Sequence, residues 1–84
     1  MYKIEFTNSA AKELRDLPVE LQRRIAPVID RLIGIPRPPG VRKLVGHENL
    51  YRVKVGVYRI IFEIDDKKST IRITRVRHRR DAYG

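Results

Sequence analysis

Three permanent cations, Arg52, Lys54 and Arg59, sit in the stretch LYRVKVGVYRIIFEI (50–64), among side chains whose types otherwise suit a buried sheet. A second group, Arg75, Arg77, His78, Arg79 and Arg80, follows in TRVRHRRDAYG (74–84), with Asp81 as its one acid. Guanidinium and ammonium groups at this density bind anions and neutralise charge on phosphoryl oxygens, arginine through a planar fork of donors. The whole chain carries 19 Lys and Arg against 10 Asp and Glu, a net charge of +9. The excess is one-sided: residues 1–34 hold six bases and five acids, for +1, and residues 35–84 hold thirteen bases and five acids, for +8. Such a field selects a polyanion, either a nucleic acid or an acidic protein partner.

The elements that must present these cations can be read from periodicity. YKIEF (2–6) alternates as a short first strand. Thr7, Asn8 or Ser9 can cap a helix with Ala10, Ala11, Leu14 and Leu17 as its apolar stripe. Pro18 opens a second helix striped by Leu21, Ile25, Val28, Ile29, Leu32 and Ile33, in which Pro27 predicts a kink and Gly34 a cap. IPRPPG (35–40) is a connector. VRKLV, LYRVKV, VYRIIFEI and TIRITRV then read as four strands, with Gly56 as the tight turn between the second and third. The expected fold is therefore α+β: an N-terminal strand, a helical hairpin and a four-stranded, mostly antiparallel sheet with both helices on one face.

Strand alternation decides where the cations point. Tyr51, Val53, Val55, Tyr58, Ile60, Phe62 and Ile64 fall on one side, and burial of that side against the helices is worth roughly 25 cal/mol per Å². Arg52, Lys54 and Arg59 then stand together on the uncovered side. Ile71 and Ile73 continue the apolar set, but Val76 is out of phase with them, which predicts a β-bulge between Ile73 and Val76.

The 84 residues suffice for one domain spanning 1–84. There is no apolar run of membrane-spanning length, and Glu5 interrupts the N-terminal stretch where a signal peptide would be apolar, so a cytoplasmic protein with no membrane partner is expected. With no cysteine, and with His47 and His78 as the only histidines, neither a metal nor a cofactor is expected.

The β-α-α-β-β-β-β order, the run KLVGHENLYRVKVGVYRIIFEID (43–65) and the terminal VRHRRDAY (76–83) together resemble the RelE/ParE superfamily of small toxins, most closely its RelE-like mRNA interferases. The resemblance spans nearly the whole chain. It implies a toxin of a type II toxin–antitoxin system that cleaves mRNA, in the ribosomal A site, by metal-independent attack of a 2′-OH on the adjacent phosphate. By position it implies a catalytic set of Arg52, Lys54, Arg59, Arg79 and Tyr83, with His78 where members carry lysine or histidine. Lys43, Arg77 and Arg80, together with Arg52 and Lys54, are the implied RNA contacts. Val45 stands where some members have a further arginine, and the sequence stops at Gly84 with no C-terminal helix.

Within that resemblance, Arg59 and Arg79 suit the charge that gathers on the phosphoryl oxygens, since arginine is a good clamp and a poor base. Tyr83 is the candidate base, because neighbouring cations favour a phenolate, and His78 is the candidate acid, although its strand-end position equally suits a structural role. The implied partners are the ribosome with its mRNA and an acidic, RelB-like antitoxin. The rival function is that of ParE-like relatives, which share the fold and poison DNA gyrase without cutting RNA.

Overall fold

The alternation of KIEF produces β1 (Lys3–Phe6), and this strand does not stand apart from the later ones. In the computed structural model, which describes residues 1–81, β1 pairs in parallel with the last strand, β5 (Thr70–His78), in the register Ile4 to Ile71 and Phe6 to Ile73. The sheet therefore has five strands in the order β1-β5-β4-β3-β2, one more than expected, and all pairs but the first are antiparallel. A parallel pair needs a crossover, and here the chain supplies it with two helices and the three intervening strands.

The helix α1 (Asn8–Arg15) starts where Thr7 caps it, its Oγ1 accepting from the Ala10 amide at 3.1 Å. Gln22, near the start of α2 (Val19–Arg31), donates to the Arg15 and Leu17 carbonyls at 3.2 and 2.8 Å. It thereby satisfies acceptors that the end of α1 leaves open. Helix α2 runs continuously through Pro27, which lies on its exposed side. It ends one turn tighter than expected: Leu32 and Ile33 bond three residues back, to Ile29 and Asp30, and the left-handed glycine after this point is Gly40 (φ +97°) instead of Gly34.

After the connector, β2 is only Arg42–Lys43. The Leu44 amide still reaches the Leu50 carbonyl at 2.9 Å, but Gly46 at φ +83° turns the chain away and leaves Val45 almost wholly exposed. Strands β3 (Leu50–Val55) and β4 (Tyr58–Asp65) meet at Gly56, whose φ of +60° suits the first central position of a two-residue hairpin turn.

The core lies between the helices and one sheet face. Ala10, Ile25, Ile29 and Leu32 meet Val53, Val55, Ile60, Phe62 and Ile64, with Ile71, Ile73 and Val76 from β5 completing it. Tyr51 stacks on Phe62 with ring centroids 6.1 Å apart. The predicted bulge is at Thr74: Phe62 pairs with Ile73, Ile61 with Arg75, and Thr74 is the extra residue, its Oγ1 donating to the Ile61 carbonyl at 3.1 Å. That extra residue keeps Val76 in the core after Ile73.

Candidate nucleic-acid interface

Cross-strand pairs share a sheet face, so the register assigns each cation a place. On the side away from the helices, Arg42, Arg52, Ile61 and Arg75 form one row across β2, β3, β4 and β5. Lys54, Arg59 and Arg77 form the next row. Arg52, Lys54 and Arg59 thus come together on the uncovered face as their alternation requires, and with Arg42 they line an open depression of about 360 Å³.

Arg59 is held close to the hairpin, its Nη1 donating to the Tyr58 carbonyl at 3.1 Å and lying 3.4 Å from the Gly56 carbonyl. Arg79 is tied to the same turn, because its backbone N–H donates to the Val57 carbonyl at 2.7 Å. Two of the expected clamp residues are therefore anchored around one tight turn. Among the described residues, no carboxylate lies within 4.0 Å of the Arg42, Arg52, Lys54, Arg59, Arg75 or Arg79 cationic groups.

Other candidates are placed differently. His78 pairs with Tyr58, on the helix-facing side, and meets its ring edge to face at 5.7 Å. Its Nδ1 accepts from the Arg80 amide at 3.2 Å, which leaves Nε2 as the nitrogen that carries hydrogen. The expectation that His78 joins the cation cluster is corrected by the pleat: Val76 is a core residue and His78 follows it by two. Lys43 pairs with Tyr51, so its neighbour Arg42 takes the place on the uncovered face, yet Lys43 at the sheet edge still lines the same depression as Arg42, Arg52, Lys54 and Arg59.

Arg77 is in register with Arg59, but its Nε donates to Glu13 Oε2 at 2.6 Å over the edge of the sheet. Glu13 holds that guanidinium above its ordinary pKa, and the charge is already matched. Arg80 is exposed in the turn after β5. Tyr83 lies outside the described residues.

Three features of this surface escaped the sequence reading. Arg75 reaches the uncovered face through the bulge, a signal present in the phase slip before Val76. Arg42 depends on the β2–β3 register, for which the sequence carries no signal. Glu13 depends on a contact between α1 and β5. The described residues bring together no group of three His, Asp or Glu able to hold a metal ion.

Comparison with known proteins agrees with this architecture. Residues 4–83 match the family described as ParE toxin of type II toxin-antitoxin system, parDE. Toxin RelG of Mycobacterium tuberculosis is 35% identical over 86 residues, covering 98% of this chain and 95% of the relative. Toxin RelE3 of Methanocaldococcus jannaschii is 31% identical over 85 residues, covering 96% and 94%. The RelE–RelB complex from Pyrococcus horikoshii OT3 contains a similar chain at TM-score 0.83 and 31% identity, covering 96% of this chain and 98% of that one. The isolated E. coli RelE toxin shares the fold at TM-score 0.83 and 24% identity, covering 93% and 84%. With its mixed five-stranded sheet, its helical hairpin and a profile match over nearly its full length, the chain belongs to the ParE toxin family of type II toxin–antitoxin systems, within the RelE/ParE superfamily.

Proposed function

We propose that this toxin is an endoribonuclease that cleaves mRNA on the ribosome by in-line attack of a 2′-OH on the adjacent phosphorus. The observation that carries the reading is the gathering of Arg52, Lys54 and Arg59 on the uncovered face, without carboxylate partners among the described residues and with Arg79 anchored at the same hairpin turn. The new bond joins the 2′-oxygen to phosphorus and the bond to the 5′-oxygen breaks, so negative charge builds on the non-bridging oxygens. Arg59 and Arg79 oppose that charge, and Arg52 and Lys54 hold the substrate. Tyr83 is the proposed base for the 2′-OH proton, on the strength of the family resemblance. His78, turned to the other face, is left out of the clamp. Lys54, an exposed ammonium within the cluster, is the proposed acid that protonates the leaving 5′-oxygen in addition to its part in holding the substrate.

Primer-extension mapping of mRNA on translating ribosomes tests this reading. Cuts in the A site with the parent protein, lost with Arg59→Ala, support it; intact mRNA sinks it. The family match itself favours a second reading, inhibition of DNA gyrase, which predicts trapped gyrase–DNA cleavage complexes instead.

An acidic antitoxin is the proposed partner. The charge of +9 calls for one, and several solved relatives are RelB–RelE complexes. The proposed location is the cytoplasm, where the ribosomal substrate is; among the described residues no helix is long and apolar enough to cross a membrane.

A further inference from the structure

The uncovered sheet face is divided by charge along its strands. At one end, the acids Glu5, Glu63 and Asp65 share a depression with Lys3, Lys68 and Arg72, and Glu5 and Glu63 lie 3.7 and 3.8 Å from Lys3 and Arg72. At the other end are the two cation rows, where the register contributes no acid. A polyanion laid along the strands would pass from the unmatched cations onto a stretch whose three acids and three bases cancel. One laid across the strands would not.

The row Arg42–Arg52–Ile61–Arg75 runs in that permitted direction. Three interstrand steps of about 4.8 Å make it roughly 14 Å long, enough to meet more than one phosphate of a single strand. Ile61 faces away from the helices yet is only 5% exposed. Its cross-strand neighbours on that face are Arg52 and Arg75, both half-buried, a register in which their aliphatic stems can cover it and leave their guanidinium groups available. Packing over Ile61 limits the freedom of both stems, which lowers the entropy lost when a phosphate is bound.

We infer that Arg42 and Arg75, on either side of Arg52, form a phosphate track that carries single-stranded RNA across the strands beside the reacting phosphate. The identity of the substrate rests on the nuclease reading; the direction of the track rests on the register and the acids at the far end. Each arginine that contacts one phosphate contributes to the salt dependence of binding.

The test uses an uncleavable single-stranded 2′-O-methyl RNA and fluorescence anisotropy across a salt series. Arg42→Gln and Arg75→Gln each make the slope of log Kobs against log salt shallower by about 0.7, and the double variant by about 1.4. Arg75→Lys, which keeps the stem and the charge, restores the slope should Arg75→Gln disturb packing. Arg23→Gln, an equal loss of charge on exposed α2, leaves the slope unchanged. Absence of binding at low salt, slopes unaltered by R42Q and R75Q, or slopes altered equally by R23Q overturns the track. So does weaker binding of an acidic antitoxin with an unaltered RNA slope, which would make the row a protein-docking surface. Ribosomal mRNA left intact alongside the expected slopes removes the nuclease reading and leaves the track standing; cut mRNA with unaltered slopes does the reverse.

Discussion

Replacing Glu13 with alanine should destabilise the fold through the basic end of β5. Strand β1 stops at Phe6, so beyond Ile73 the outer edge of β5 has no strand beside it. The Thr7 cap and the last turn of α1 supply the missing partners. The Thr7 amide donates to the Ile73 carbonyl at 3.0 Å, the Thr7 hydroxyl to the Thr74 carbonyl at 3.3 Å, and Glu13 Oε1 accepts from the Val76 amide at 2.9 Å. Glu13 Oε2 takes Arg77 Nε at 2.6 Å. Val76 is 2% exposed, so losing its acceptor removes a charge-assisted hydrogen bond worth about 1.5–3 kcal/mol. The Arg77 pair is screened, with side chains 36% and 21% exposed, and adds little to this. That loss, about 1.5–3 kcal/mol, corresponds to a fall in Tm of roughly 6–24 °C for a domain of this size. Glu13→Gln keeps a neutral acceptor for Val76 and should lose about half as much. Thermal unfolding followed by circular dichroism decides the matter. A Tm for E13A within about 3 °C of the parent, a shift below 1 kcal/mol at this chain length, would refute the assignment of Glu13 as the edge partner of β5.

Two further outcomes follow from the turn geometry and the titrating groups. Gly56→Ala should cost about 1–2 kcal/mol in urea unfolding, because φ +60° is unfavourable for a residue with a Cβ. The new methyl would also stand 3.1 Å from Arg24 Nη2, but that is a mobile side-chain end able to shift. An unchanged midpoint would show that the turn relaxes freely. Asp66 is held below the ordinary carboxylate range, chiefly by hydrogen bonds from Arg37 and then from Tyr2. Its folded pKa is depressed, so its contribution is present above the unfolded value near ~4 and is lost as pH falls through the folded value. The same bond to Asp66 raises the Tyr2 phenol, whose contribution is present below ~10 and lost as pH rises through its folded value. Urea midpoints measured against pH should therefore fall less steeply on the acid side for Asp66→Asn than for the parent; identical acid limbs contradict this.

The face occupied by Arg52, Lys54 and Arg59 was legible because it depends on the period of two within single strands, and each strand carries enough apolar alternates to choose the buried side. The bulge was legible for the same reason, as a phase slip between Ile73 and Val76. His78 could have been placed by the same count, since it follows the core residue Val76 by two; its titration chemistry and the family resemblance outweighed the pleat. The short β2 and the side taken by Lys43 were not legible. They depend on the register between two strands joined by the 44–49 loop, and that loop's path is set at Gly46 by a positive φ that composition alone does not announce.

Arg77 shows why face and availability are separate questions. Pleat and bulge together place it level with Arg59, and on face alone it would count as another phosphate ligand. But β5 is covered by β1 only as far as Ile73, and beyond that point it is an edge at which a long side chain can bend over the backbone. Glu13 waits there because α1 has replaced β1 along that edge, and one carboxylate binds both the Val76 amide and the Arg77 guanidinium. Arg75, two residues earlier, instead pairs with Ile61 in register and has no carboxylate partner among the described residues. The bulge therefore divides the arginines of β5: Arg75 stays on the open face without a carboxylate partner among the described residues, while Arg77 anchors the strand end from which Arg79 reaches the hairpin turn.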